Sequence, residues 1–278
     1  MRYINYNGNI YPEHEQLLPV TNRGFRYGDG FFESMVMFGK IVPLLNYHWN
    51  RIELSAKLIF AELPKRFHLE SFTNMVLDLA SVNDSLTNAR IRLQFYRKGD
   101  GMYLPEDNEL GFVISMLPLQ NTKFETGNGL LVGMNEECYK ATSMTSDLKT
   151  TSALMNVLAA RYAQAQGWDE CILVNSIENI SEAITANIFL VKGHKLITPD
   201  LNSGCVDGVM RNYLLDLLGM QAEEREVSVK ELLEADEILL TNAVQGVQWV
   251  REFENKIYGN RKATELTTLL NSELLGVG

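Results

Sequence analysis

Cysteine, histidine and proline are all scarce in this chain of 278 residues, which holds 3, 4 and 7 of them. Cys138, Cys171 and Cys205 are odd in number, stand far apart and form no C-x-x-C pair. That excludes a disulfide framework and a locally assembled Cys-rich zinc site, and free thiols in a reducing compartment are expected. His14, His48, His68 and His194 are scattered, so no metal-binding spacing is present. Positive charge is also short: 25 Lys and Arg stand against 35 Asp and Glu, a net charge of −10. Such a balance argues against a nucleic-acid partner, which needs a basic footprint. No apolar run reaches the ~18 residues of a membrane span. The opening MRYINYNGNIYPEHEQ lacks the apolar centre of a secretory signal, so a cytoplasmic protein is expected. The phosphate loop G-x-x-x-x-G-K-[ST], a helix-opening G-x-G-x-x-G, G-x-S-x-G and H-E-x-x-H are all missing.

What is present is an ordinary globular composition, 46% hydrophobic and 22% charged. At about 150 residues per domain the length suggests two domains. Residues 2–11 read as a hairpin around Gly8, and Phe31–Leu45 as a second one around Gly39-Lys40. Tyr47–Leu63, ending before Pro64, and Phe67–Val82 have helical spacing. Arg90–Arg97 and Gly111–Leu117 read as strands joined by the loop KGDGMYLPED. The polar, turn-rich stretch 118–129 marks a linker between a small domain, 1–117, and a larger one, 130–278. In the latter, LLVGMN, CILVN, NIFLV and Asp236–Leu240 read as strands. Ala153–Gln166 (closed by Gly167), Gly208–Leu218, Val229–Glu234 and the last ~16 residues read as helices. Mixed strands and helices with many hairpins predict α+β or mixed domains, not a doubly wound fold.

The chemistry-bearing candidates lie apart in sequence. In TNRGFRYGDGFFES (Thr21–Ser34), two glycines around Asp29 permit a tight turn and close backbone approach. Arg51 sits on a helix, and Lys149 lies in SDLKTTS just before one. A lysine there is ordinarily solvated, but beside cations in a dry pocket it becomes a nucleophile toward carbonyls. Glu182 follows in SEAITANIF. GCVDGVMR (Gly204–Arg211) and LLTNAVQG (Leu239–Gly246) offer backbone N–H groups to an anion.

Together these stretches resemble the class-IV aminotransferases, the fold-type IV enzymes that use pyridoxal 5′-phosphate. The resemblance rests on E-A-I-T-A-N-I-F from Glu182, L-I-T from Leu196 and V-D-G-V-M-R from Val206. YGDGFFE, H-x-x-R at His48–Arg51, Lys149 and A-D-E-I-L-L-T-N-A from Ala235 extend it over nearly the whole chain. It implies a small N-terminal α/β domain, a larger C-terminal domain with a barrel-like sheet, a cofactor between them, and a homodimer. It makes Lys149 the lysine that holds the cofactor as an internal aldimine and shuttles the substrate proton. Glu182 becomes the partner of the pyridine nitrogen. Arg51, the Val209 and Met210 amides and the Thr241-Asn242-Ala243 turn become the phosphate clamp, with Thr185 a further cofactor contact. Phe32, Arg92 and Arg97 become candidates for substrate contact, and no metal is implied.

The resemblance implies an aminotransferase moving an amino group between a small amino acid, branched-chain ones among them, and a 2-oxo acid. The alternative is aminodeoxychorismate lyase, which releases pyruvate. Glu33 and Arg92 with GDGMYL are similar to the transaminases, whereas Thr241-Asn242-Ala243, ANIF and GVMR are similar to the lyases. Two positions depart from the family pattern: Ser152 stands where Asn is common, with Asn156 four further on, and Leu154 stands where branched-chain enzymes place Tyr.

Overall fold

The computed structural model describes residues 1–84 and 86–277, with the side chains of 136–138 set aside. The Cys138 thiol and the final position of the 130–278 domain therefore lie outside the described residues. Two compact units divide the chain: Met1–Thr122 with Lys149–Ser152, and Lys123–Leu148 with Ala153–Gly278. The first change of unit falls inside the 118–129 stretch. Lys149–Ser152 belongs to the first unit, although its position in the chain lies within 130–278.

The first unit contains β1 (Tyr3–Tyr6), β2 (Asn9–Pro12), α1 (Arg23–Tyr27), β3 (Phe32–Met37), α2 (Leu45–Leu58), α3 (Leu69–Val82), β4 (Ala89–Arg97) and β5 (Leu110–Pro118). Its sheet is antiparallel throughout, in the order β2-β1-β5-β4-β3. Strand alternation explains its two faces. Ala89, Ile91, Leu93 and Phe95 of β4 enter the core with Phe112, Ile114 and Met116 of β5. Ile52 and Ala56 of α2, and Phe72, Val76, Leu79 and Ala80 of α3, complete that core at helical spacing. The intervening β4 residues Arg90, Arg92 and Gln94 therefore occupy the opposite face. Lys149–Ser152 extends the edge before β3, with Thr150 bridged to Phe31 and the Phe32 N–H donating to the Lys149 carbonyl at 2.9 Å. Gly30 makes this possible, because a side chain there would collide with the Phe95 carbonyl.

The second unit contains β6 (Leu130–Lys140), α4 (Leu154–Gln166), β7 (Glu170–Asn175), β8 (Ile180–Ala183), β9 (Asn187–Lys192), β10 (Lys195–Pro199), α5 (Val209–Leu218), β11 (Ala222–Arg225), α6 (Val229–Glu234), β12 (Glu237–Asn242), β13 (Gly246–Phe253), β14 (Lys256–Ile257) and α7 (Arg261–Leu275). The sheet order is β11-β10-β9-β12-β13-β6-β7-β8, with β14 beside β13. β8 at one end also contacts β9 and β10, so the sheet curls into the barrel-like form. The β10–β11, β13–β6 and β6–β7 pairs are parallel, and the sheet is therefore mixed. Glu237 of β12 accepts the Lys262 N–H at 2.9 Å on each carboxylate oxygen, placing a negative charge at the α7 N-terminus.

Some sequence expectations needed correcting. The hairpin over Phe31–Leu45 has one full arm, and its return is only a Phe38–Ile41 bridge. Its last residue, Leu45, already begins α2. α2 stops at Leu58, well before Pro64, because Phe60 takes φ 54° and the Ala61 N–H returns to the Ala56 carbonyl at 2.8 Å. That is a Schellman-type ending without the glycine that usually announces one. Polar β11, AEER, was not expected as a strand, and it exists through its parallel pairing with β10. Among the described residues no helix is long and apolar enough to cross a membrane.

Candidate active site

In the first unit Arg51 is buried on α2 beside Glu33 of β3. Its Nε donates to Glu33 Oε1 at 2.7 Å and its Nη2 to Glu33 Oε2 at 2.6 Å. His48, one turn earlier on α2, meets the same Oε2 through Nδ1 at 2.6 Å. Burial pushes the Glu33 carboxyl up, but the charges and hydrogen bonds of Arg51 and His48 outweigh it and hold it at about 2. Burial pushes His48 down, and Glu33 does not fully compensate. A neutral His48 must then use Nδ1–H as the donor, since an ionised carboxylate only accepts. Its Nε2 is buried with no hydrogen-bond partner.

Lys149 is half-buried, with its Nζ 4.9 Å from the centre of the Phe32 ring. Arg92 lies on the same ring, its Cζ 3.8 Å from the centre. The Nε and Nη2 of Arg92 both donate to Gln94 Oε1, at 3.1 and 2.9 Å. Arg97, grouped with Arg92 as a substrate candidate, has a different environment. Its Nε donates to Asp29, its Nη1 to Asn108 Oδ1 and the Phe60 carbonyl, and its Nη2 to the Ile59 carbonyl. All three nitrogens of the buried Arg97 side chain are thus engaged within the first unit. Arg23 binds Asp29 too, at 2.8 Å, and donates to the carbonyls of Gly101 and Met102. Asp29 of the YGDGFFE stretch is thus the counter-ion of two arginines.

In the second unit Glu182 of β8 is 4% exposed, and both its oxygens are engaged. Oε2 accepts the Val206 N–H at 2.9 Å, and Oε1 pairs with Lys140 Nζ at 2.6 Å. The residues after Val206 open α5. Gly208 is its N-cap and supplies no side-chain hydrogen bond to the Val209 and Met210 end. A side chain at 208 would collide with Asn187 Oδ1, and Asn187 is itself fixed by donating to the Val206 carbonyl at 2.8 Å. The Thr241 hydroxyl is buried with no hydrogen-bond partner. Asn242 shapes the turn after β12, its Oδ1 accepting the Val244 and Gln245 N–H groups at 3.0 and 2.8 Å, and Ala243 lies inside that turn. The Thr185 hydroxyl donates to Glu170 Oε2 at 2.5 Å. Asn156 is likewise occupied, holding the Ile184 carbonyl at 2.8 Å.

Lys140, Gln94 and Glu170 were not singled out from sequence, and His48 and Glu33 were noted only as parts of motifs. Ordinary residue types at no fixed spacing give no signal of such pairing. Among the described residues no group of three or more His, Cys, Asp or Glu could hold a metal ion.

The amino-transferase class IV family matches residues 30–253. A protein of Thermotoga maritima named "Probable branched-chain-amino-acid aminotransferase" is 31% identical, over 86% of this chain and 82% of its own length. The "Aminodeoxychorismate lyase" of Bacillus subtilis is 26% identical over 96% and 92%. In fold, the branched-chain amino acid aminotransferase of Thermobaculum terrenum in PLP-form superimposes with a TM-score of 0.84 at 21% identity, covering 99% of this chain and 94% of that one. The chain belongs to the class IV aminotransferase family.

Proposed function

We propose that the protein is a pyridoxal-phosphate aminotransferase acting on small amino acids, including branched-chain ones, with a 2-oxo acid as acceptor. The observation that carries this reading is the Phe32 ring, on which an amine, Lys149, and a guanidinium, Arg92, both lie. The amine suits the carbonyl of an aldehyde cofactor, and the guanidinium suits a substrate carboxylate. When bound, the cofactor supplies an electrophilic aldehyde carbon and a ring that withdraws electrons. Lys149 Nζ would hold it through its aldehyde carbon, with water leaving, and would carry the proton from the substrate Cα. Arg92 would receive the second carboxylate of a dicarboxylic substrate such as 2-oxoglutarate, with Phe32 as its platform.

The donor set in the second unit fits such a group. A carboxylate held between a lysine and a main-chain N–H suits a protonated ring nitrogen, and Glu182 is so held. A helix start with no side-chain cap, at Val209 and Met210, and the partnerless Thr241 hydroxyl suit a phosphate. The turn shaped by Asn242 completes the donors proposed in this unit, and Arg51 of the first unit is proposed separately as a phosphate ligand.

Relatives named as branched-chain aminotransferases favour amino transfer over pyruvate elimination. One assay tests the choice: an amino donor with 2-oxoglutarate should yield glutamate. Pyruvate released from aminodeoxychorismate without any acceptor would overturn it. We further propose a cytoplasmic homodimer. Leu154, Val157 and Leu158 leave an apolar stripe exposed on α4, which supports a second copy as its cover, and sedimentation at several concentrations checks this.

A further inference from the structure

Gln94 holds the edge of Arg92 that a carboxylate would use. The Nε and Nη2 of a guanidinium form a fork suited to two carboxylate oxygens. Here both point at one neutral oxygen, Gln94 Oε1, at 3.1 and 2.9 Å. The neighbours across the strands are not acids: the register puts Ser34 and Ser115 beside Arg92, and Phe32 and Val113 beside Gln94. Burial and the like charge of Arg90 both lower the proton affinity of Arg92, so its surroundings call for an anion.

We propose that Gln94 is a specificity-determining residue, a neutral placeholder whose carbonyl yields the Arg92 fork to the second carboxylate of a dicarboxylic substrate and closes it again for an apolar one. A placeholder is useful only if the carboxylate is sometimes absent. An aminotransferase meets that condition when one of its two substrates is dicarboxylic and the other apolar. The exchange favours the diacid, because an ion pair replaces an ion–dipole contact and two oxygens replace the one that Nε and Nη2 now share. Without the diacid, Arg92 keeps an acceptor and avoids the cost of an unpaired, half-buried cation. The inference rests on Arg92 being the carboxylate receptor proposed above.

The test uses the holoenzyme and two unreactive acids, glutarate and 4-methylpentanoate, with binding measured by calorimetry. Gln94→Glu, nearly isosteric, gives Arg92 a permanent anion. It should weaken glutarate about tenfold or more, the worth of one hydrogen bond to a charged group, and leave 4-methylpentanoate unchanged. Gln94→Leu removes the competitor and should tighten glutarate. Equal weakening of both acids by Gln94→Glu, unchanged glutarate in that variant, or weaker glutarate in Gln94→Leu would each overturn the proposal. Arg92→Leu separates the two levels. If it leaves glutarate binding unchanged, the receptor assignment fails and the inference with it. If it weakens glutarate while Gln94→Glu does not, the Gln94 inference alone fails.

Discussion

Glu33 grips Arg51 with both carboxylate oxygens, at 2.7 and 2.6 Å, inside the first unit. The pair is buried, and its carboxylate also holds His48. An arginine fixed on its Nε side has lost most of its rotamer freedom before any ligand arrives. Glu33→Ala would leave a buried cation without its counter-ion and should cost about 3–5 kcal/mol in denaturant melts of the protein. The pH dependence has a definite sign. The folded value of about 2 lies below the ordinary 4.5, so the ionised carboxylate stabilises the fold. Its contribution is complete above pH 4.5 and is lost as pH falls toward 2. Glu33→Gln should remove that part of the acid sensitivity, and acid titration of the two proteins checks it.

Glu182 and Lys140 form the corresponding pair of the second unit. Under the proposed function, Glu182→Gln retains bound cofactor, since the phosphate donors remain, but cannot hold the ring nitrogen protonated. kcat should fall by on the order of 10²-fold or more. Absorbance of the bound cofactor with single-turnover kinetics separates this from cofactor loss. Lys140→Met removes the cation that fixes Glu182 Oε1 at 2.6 Å and should lower kcat, by less than Glu182→Gln does, which the same single-turnover kinetics reads.

Lys149→Ala should abolish amino transfer, with a loss of about 10⁴-fold expected when a proton shuttle is removed. The visible band of lysine-linked cofactor should vanish while the melting temperature of the cofactor-free protein stays near that of the unaltered chain. Retention of the band in this variant would sink the lysine assignment.

Arg97 and Arg92 should part company under substitution. Arg97→Ala leaves Asp29 with one arginine fewer and takes a donor from three further acceptors, and should cost about 3 kcal/mol or more of stability. Arg92→Leu should change stability by only about 0.5 kcal/mol and act on substrate affinity instead. Thermal melts beside KM measurements distinguish the two.

Gly208→Ala tests the start of α5. The added methyl would collide with Asn187 Oδ1, whose amide holds the Val206 carbonyl. Displacement of that turn also disturbs the Val206 N–H on Glu182. A loss of about 1–3 kcal/mol, the usual cost of forcing extra volume into a packed site, is expected. Under the proposed function it should weaken pyridoxal phosphate more than pyridoxal, and equal weakening would place the damage elsewhere.

Local pattern accounts for much of what was legible. The alternation of ARIRLQFYR makes β4 a strand with two unlike faces, and spacing in 69–82 makes α3 an amphipathic helix. The Gly167 cap, with φ 75°, ends α4 where the sequence places its end. The run from Glu182 to Arg211 carries the family by its residue types and spacing. Elements held by distant partners were not legible: β11 exists by pairing with β10, and α2 ends at a left-handed phenylalanine.

Arg51, Arg92 and Arg97 show the division most plainly. The sequence by itself determines that three arginines lie on secondary elements of the first unit, and resemblance makes each a candidate for an anion. Their roles depend on which acceptors come within about 3 Å of their nitrogens. Those acceptors stand 18 residues away for Arg51 (Glu33), 2 for Arg92 (Gln94) and 68 for Arg97 (Asp29). A guanidinium has the same donors everywhere, so only the folded chain decides which of them are already engaged and by what charge.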